Sequence, residues 1–215
     1  MKKLVTSVIV TIILLLDGCE PAATFDKPQP ENAKSLTSFS ERLQGKYLSA
    51  DQASIVTITD RLLIRQYDFD FKEHKDSMGK SYKLVGDTLI YLRDGTKEEV
   101  IVNGDTIIQR ANWTDTLFKV SADNLLKKFK GYYFLNNRYS DNSWEVKELS
   151  LKKGMLTVGS VSDKDDIQKL KEITETITDT TSTNFILSRR QFKRFMRQGG
   201  FGEQETFIRM TKNDR

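Results

Sequence analysis

A short phrase that recurs three times in the middle of the chain limits the fold more than any other feature. It reads Gly86-Asp87-Thr88-Leu89-Ile90, then Gly104-Asp105-Thr106-Ile107-Ile108, then Asp115-Thr116-Leu117-Phe118. Each is a turn followed by a strand. Gly86-Asp87 and Asn103-Gly104 are pairs that accept the positive φ of a tight hairpin reversal. Turn-then-strand units this closely spaced predict an antiparallel meander. Upstream, Ser54-Ile55-Val56-Thr57-Ile58-Thr59 alternates and is β-branched, as a half-buried strand should be. In the following run Tyr67, Phe69 and Phe71 fall on one strand face, and Asp68, Asp70 and Lys72 on the other. The only prolines stand at 21, 28 and 30, so no proline interrupts the strands and helices beyond them.

A looser repeat is larger. Phe39–Tyr47 compares with Leu125–Tyr133 at an offset of 86 residues. Each predicts a short amphipathic helix ended by Gly45 or Gly131, then an aromatic residue opening a strand. On this basis 38–122 and 123–215 are two related β-rich halves. In the second half, Trp144–Leu151 changes phase between Val146 and Leu149, which predicts a bulge. Lys152-Lys153-Gly154 predicts a turn, and Asp163–Ile173 a short helix with acids in its first turn. Residues 174–183 are Thr-rich, a loop or an exposed edge strand. Ser188 and Gln191 have capping-box spacing, with Leu187 and Phe192 at the staple positions. The helix they start carries Phe192, Phe195 and Met196 on one face and Arg189, Arg190, Lys193, Arg194 and Arg197 on the rest. Gly199-Gly200 ends it before a closing strand, Glu205–Met210. The expected fold is mainly β with a few short helices, an antiparallel meander or barrel-like sheet.

The N-terminus carries an address. Met1-Lys2-Lys3 precedes an apolar run from Leu4 to Leu16, the pattern of a secretory signal peptide over residues 1–18. The run is shorter than the roughly 20 residues of a spanning helix. Cys19 is the only cysteine, so no disulfide is available. Leu16-Asp17-Gly18-Cys19 resembles the lipobox of bacterial lipoproteins, with Asp17 where a small uncharged residue is usual. That resemblance implies cleavage before Cys19, acylation of its sulfur and amine, and firm membrane anchoring. Glu20 stands where an Asp would retain many such lipoproteins in the inner membrane, which implies the outer membrane. The Pro-rich, polar stretch 19–37 predicts a disordered tether. Removing residues 1–18 takes away two lysines and one aspartate, so the net charge of +4 becomes +3. This near balance gives no reason to expect a nucleic-acid partner.

Catalytic equipment is sparse. His74, the only histidine, sits in the charged stretch Lys72-Glu73-His74-Lys75-Asp76, which predicts an exposed hairpin tip. One histidine and one acylated cysteine cannot assemble a zinc site of the usual type. No Gly-x-Ser-x-Gly turn and no glycine-rich phosphate loop occur. Asp68 and Asp70, about 7 Å apart along one strand face, would suit a cation or an inverting hydrolase pair, though a solvated strand face explains them as well. Asp163-Lys164-Asp165-Asp166 lacks EF-hand spacing. The expectation is a protein without cofactor, metal or catalytic residues. The basic helix points to an anionic partner: lipid headgroups, phosphorylated polysaccharide or an acidic protein face. A helix docked on a sheet with a solvated polar face would show the same pattern.

Gly45-Lys46-Tyr47 and Gly131-Tyr132-Tyr133 resemble the Gly-x-Trp opening of lipocalins, with Tyr for Trp, and Arg209 resembles the arginine that covers that Trp. This implies an up-and-down barrel holding a small apolar ligand. The whole chain also resembles the envelope lipoproteins common in Bacteroidota, a resemblance that carries no activity. The leading expectation is a lipid-anchored outer-membrane protein binding a protein or glycan partner, and the alternative is a lipocalin-like carrier.

Overall fold

The computed structural model describes residues 21–174 and 183–211. The signal segment, Cys19 and most of the Thr-rich run lie outside the described residues. Strands make up 52% of the structure and helices 13%, nearly all strand pairs antiparallel, so the fold is mainly β. In chain order the strands of the first half are β1 (Thr24–Phe25), β2 (Ser35–Leu36), β3 (Gly45–Ser49), β4 (Ser54–Ile58), β5 (Leu62–His74), β6 (Tyr82–Val85), β7 (Thr88–Tyr91), β8 (Lys97–Glu99), β9 (Ile101–Asn103) and β10 (Thr106–Lys119). There follow β11 (Asn124–Phe129), β12 (Tyr132–Ser140), β13 (Ser143–Lys152), β14 (Met155–Ser160), helix α1 (Lys164–Thr174), β15 (Asn184–Phe185), helix α2 (Arg189–Arg197) and β16 (Glu203–Arg209).

The chain forms two compact units. Among the described residues, one comprises 37–121, 151–157 and 205–211, and the other 21–36, 122–150, 158–174 and 183–204. In the first unit the strand order is β16-β3-β4-β5-β10-β9, and β6-β7-β8 form a separate three-stranded meander. Gly86 and Gly104 have φ of 64° and 59° at the tips of the β6–β7 and β9–β10 hairpins, where the recurring phrase placed its turns. The third phrase makes no turn. Asp115–Phe118 lies inside β10, where the register against β5 slips between Thr116 and Phe118; lacking a glycine, the phrase has no residue suited to a left-handed reversal.

The other unit pairs β2-β11-β12-β13 antiparallel, adds the short β1 and β15, and covers them with α1 and α2. Phe25, Phe134, Leu170, Phe192, Phe195 and Phe201 form its fully buried centre. Several expectations are corrected here. The helix expected at Leu125–Phe129 is strand β11, joined to β12 by a two-residue hairpin in which Lys130 and Gly131 both have positive φ (52° and 88°). Two such residues in succession make the hairpin turn whose twist matches the strands it joins, so Gly131 closes a hairpin and not a helix. At the corresponding place in the other unit, 40–44 is a pair of turns (Leu43 N–H to Ser40 O and Gln44 N–H to Glu41 O). The offset of 86 therefore aligns a turn with a strand. Against β12 the predicted bulge does not occur on β13, whose register runs unbroken from Trp144 to Leu149; the slip there is on β12, between Arg138 and Ser140.

The expected tether is folded from Pro21 onward. Phe25 is fully buried, and Gln29 is too. Asn136, itself without exposure, accepts from Gln29 N–H at 2.5 Å and donates to Gln29 O at 2.9 Å. Lys127 Nζ donates to Pro28 O at 2.7 Å and to Pro30 O at 3.0 Å. Proline and polar composition suggested disorder, but two polar side chains on β11 and β12 supply the partners this backbone needs. The antiparallel sheet expected from the sequence is present but does not close into a barrel: β9 in one unit and β2 in the other are edge strands.

Candidate functional site

Helix α2 begins where its sequence said it would. Gln191 N–H donates to Ser188 Oγ at 3.3 Å, and Gln191 Oε1 accepts from Ser188 N–H at 2.9 Å. Gln191 Nε2 also donates to Ile173 O at 3.0 Å, tying the helix to the end of α1. Phe192 packs edge-on against Phe25 and Phe134 at centroid distances of 6.4 and 5.1 Å, and Phe195 against Phe201 at 5.3 Å. These contacts fix the rotation of the helix, so its polar face has one orientation.

That face carries all five basic residues singled out in the sequence. Arg189, Arg190, Arg194 and Arg197 are exposed and Lys193 is half-buried. Arg189 lies over the Phe129 ring at 4.9 Å. No carboxylate lies within ion-pair distance of any of the five among the described residues. The helix has no acid in its first turn, where Arg189 and Arg190 oppose the helix dipole. Arg189–Lys193, Arg190–Arg194 and Lys193–Arg197 are like-charge pairs at i,i+4, each destabilising by a few tenths of a kcal/mol. The Arg197 and Lys130 charges hold the Lys193 ammonium below the usual lysine pKa.

Two clefts flank this face. One, of about 460 Å³, is lined by Lys130, Tyr132, Glu148, Lys193, Met196 and Arg197, with Gly199 and Gly200 at its end. The other, also about 460 Å³, is lined by Ile173, Arg190, Gln191 and Arg194 and shares Lys193 and Arg197 with the first. Gly200 is required where it stands, because a Cβ there would lie 2.5 Å from the Phe195 ring. Lys130 and Tyr132 were not among the sequence candidates. Lys130 stands in the β11–β12 turn and Tyr132 opens β12, so neither can be placed beside the helix with Leu125–Phe129 read as helical.

The remaining candidates do not assemble into a site. Asp68 and Asp70 are exposed, and Asp70 meets Arg110 at 3.5 Å. His74 ends β5, where its exposed ring accepts from Asp76 N–H at 3.3 Å. Among the described residues no three His, Cys, Asp or Glu side chains are grouped to hold a metal ion. The aromatic face of β5 is partly open: Phe71 is 54% exposed and Trp113, stacked on Tyr67 at 4.4 Å, is 44% exposed. Arg209 does cover Tyr47, its direct cross-strand neighbour, at 4.9 Å from the ring, and donates to the Tyr47 hydroxyl and to Gln44 O. No protein family, curated protein or solved structure matches the chain.

Proposed function

We propose that this chain is a lipid-anchored protein of the bacterial outer membrane, non-enzymatic, that binds an anionic protein or glycan through the basic face of α2. One observation carries the reading. Five cations share a nine-residue helix that carries no acid of its own, an arrangement that costs stability at its N-terminus and along its side. Packing accounts for Phe192 and Phe195, and Arg189 rests on the Phe129 ring, but packing gives no reason for arginine at 190. An anionic partner does.

The anchor adds to this. Cys19, the expected acylation site, precedes the packed Pro21 by two residues, a span of about 7 Å at full extension. The lipid would hold the folded chain close against the bilayer instead of on a long tether. The carrier alternative keeps one supporting feature, the Arg209–Tyr47 contact, and lacks an enclosing barrel.

The test is purification of the full-length protein from native membranes in mild detergent, with mass spectrometry of what co-purifies. A stoichiometric anionic protein or glycan that is lost in Arg190→Gln/Arg194→Gln is the expected result. A co-purifying partner indifferent to both substitutions overturns the reading.

A further inference from the structure

We propose that the cleft between α2 and the Lys130-Gly131 hairpin binds the phosphate monoester of a phosphorylated sugar. The inference rests on the reading of the basic face as an anion-binding surface and names the chemistry that face would recognise. Three cations converge on this cleft from two elements: Lys193 and Arg197 from the helix, Lys130 from the hairpin tip. A phosphate monoester carries close to two negative charges at neutral pH and three strong acceptor oxygens, and an arginine fork with two ammonium groups matches it. The mutual repulsion that lowers the Lys193 pKa is what a bound dianion would reverse.

The other walls argue for a sugar on that phosphate. Tyr132 and Met196 present an aromatic ring and a thioether, and Glu148 a carboxylate able to accept from hydroxyl groups. A volume of about 460 Å³ lies within the range of small-molecule sites. A lone phosphate would not need a cleft of this volume.

The experiment is calorimetric titration of the full-length protein with glucose 6-phosphate, inorganic phosphate, glucose, and glycerophosphoglycerol, the deacylated headgroup of an anionic lipid. Glucose 6-phosphate should bind, and bind more tightly than the other three. Lys193→Gln, Arg197→Gln and Lys130→Asn should each weaken it roughly tenfold, the loss expected for one charged hydrogen bond. Asparagine is chosen at 130 because it tolerates the left-handed turn. Arg190→Gln and Arg194→Gln, which line the adjoining cleft and not this one, should weaken this binding less than those three. Tighter binding of glycerophosphoglycerol would assign the cleft to a lipid headgroup and overturn the sugar; absence of binding, or indifference to Lys130→Asn, would overturn the site. The two readings fail separately. Loss of sugar-phosphate binding with partner capture intact removes only the cleft, and sugar-phosphate binding without any partner dependent on Arg190 and Arg194 removes only the wider face.

Discussion

Asn136 and Tyr47 show how much single buried polar groups decide in this chain. Asn136 uses both ends of its amide on Gln29 and donates further to Leu125 O and Phe134 O. Asn136→Ala would strand the buried Gln29 N–H and carbonyl, at a cost of about 2–3 kcal/mol. Chemical denaturation should register that loss, together with faster proteolysis near residues 21–30. Tyr47 is fully buried and donates to Leu43 O at 2.6 Å. Burial raises its pKa, against the opposing pull of the Arg209 charge. Below about pH 10 the phenol is protonated folded and unfolded, so its contribution is fully present. As pH rises above that, the unfolded chain releases its proton first and stability falls. Tyr47→Phe should flatten this alkaline loss in a series of urea melts from pH 8 to 11, and an unchanged slope would show that other groups cause it.

At the scale of elements, α2 was the most legible and β11 the least. The capping box, the staple and the Phe192/Phe195 stripe all act within a few residues, and local sequence contains everything needed to read them. Arg190→Glu makes this testable: an acid in the first turn complements the helix dipole, so the variant should be more stable by about 0.3–1 kcal/mol. A drop in its unfolding midpoint would mean that Arg190 has a structural partner after all. Leu125-Leu126-Lys127-Lys128-Phe129 has helical spacing and a terminal glycine, and still forms a strand. Its fate depends on residues far along the chain, since Lys127 is needed by Pro28 and Pro30, and Leu126 sits between Leu36 and Leu135. Tertiary demand of this kind leaves no local signal. The same holds for residues 21–36, where Phe25 was the one hint that a polar, proline-rich stretch had a core to enter.

For the molecule as a whole, antiparallel β structure was readable from alternation and turn chemistry, but closure into a barrel was not, because closure depends on which distant strands pair. The basic residues of the candidate site were readable as a list, while the cleft they border needed the Lys130-Gly131 hairpin to be placed beside them. The fold offers no grouped metal ligands among the described residues, and what it does offer is a rigid, repulsive cationic face on a protein expected to sit at a membrane. The central claim is that this face exists for a partner. Its most direct test is capture from native membranes by the Arg190→Glu/Arg194→Glu protein alongside the wild type. The account predicts that the co-purifying anionic partner disappears while the variant remains folded. Retention of the same partner at the same stoichiometry would contradict it.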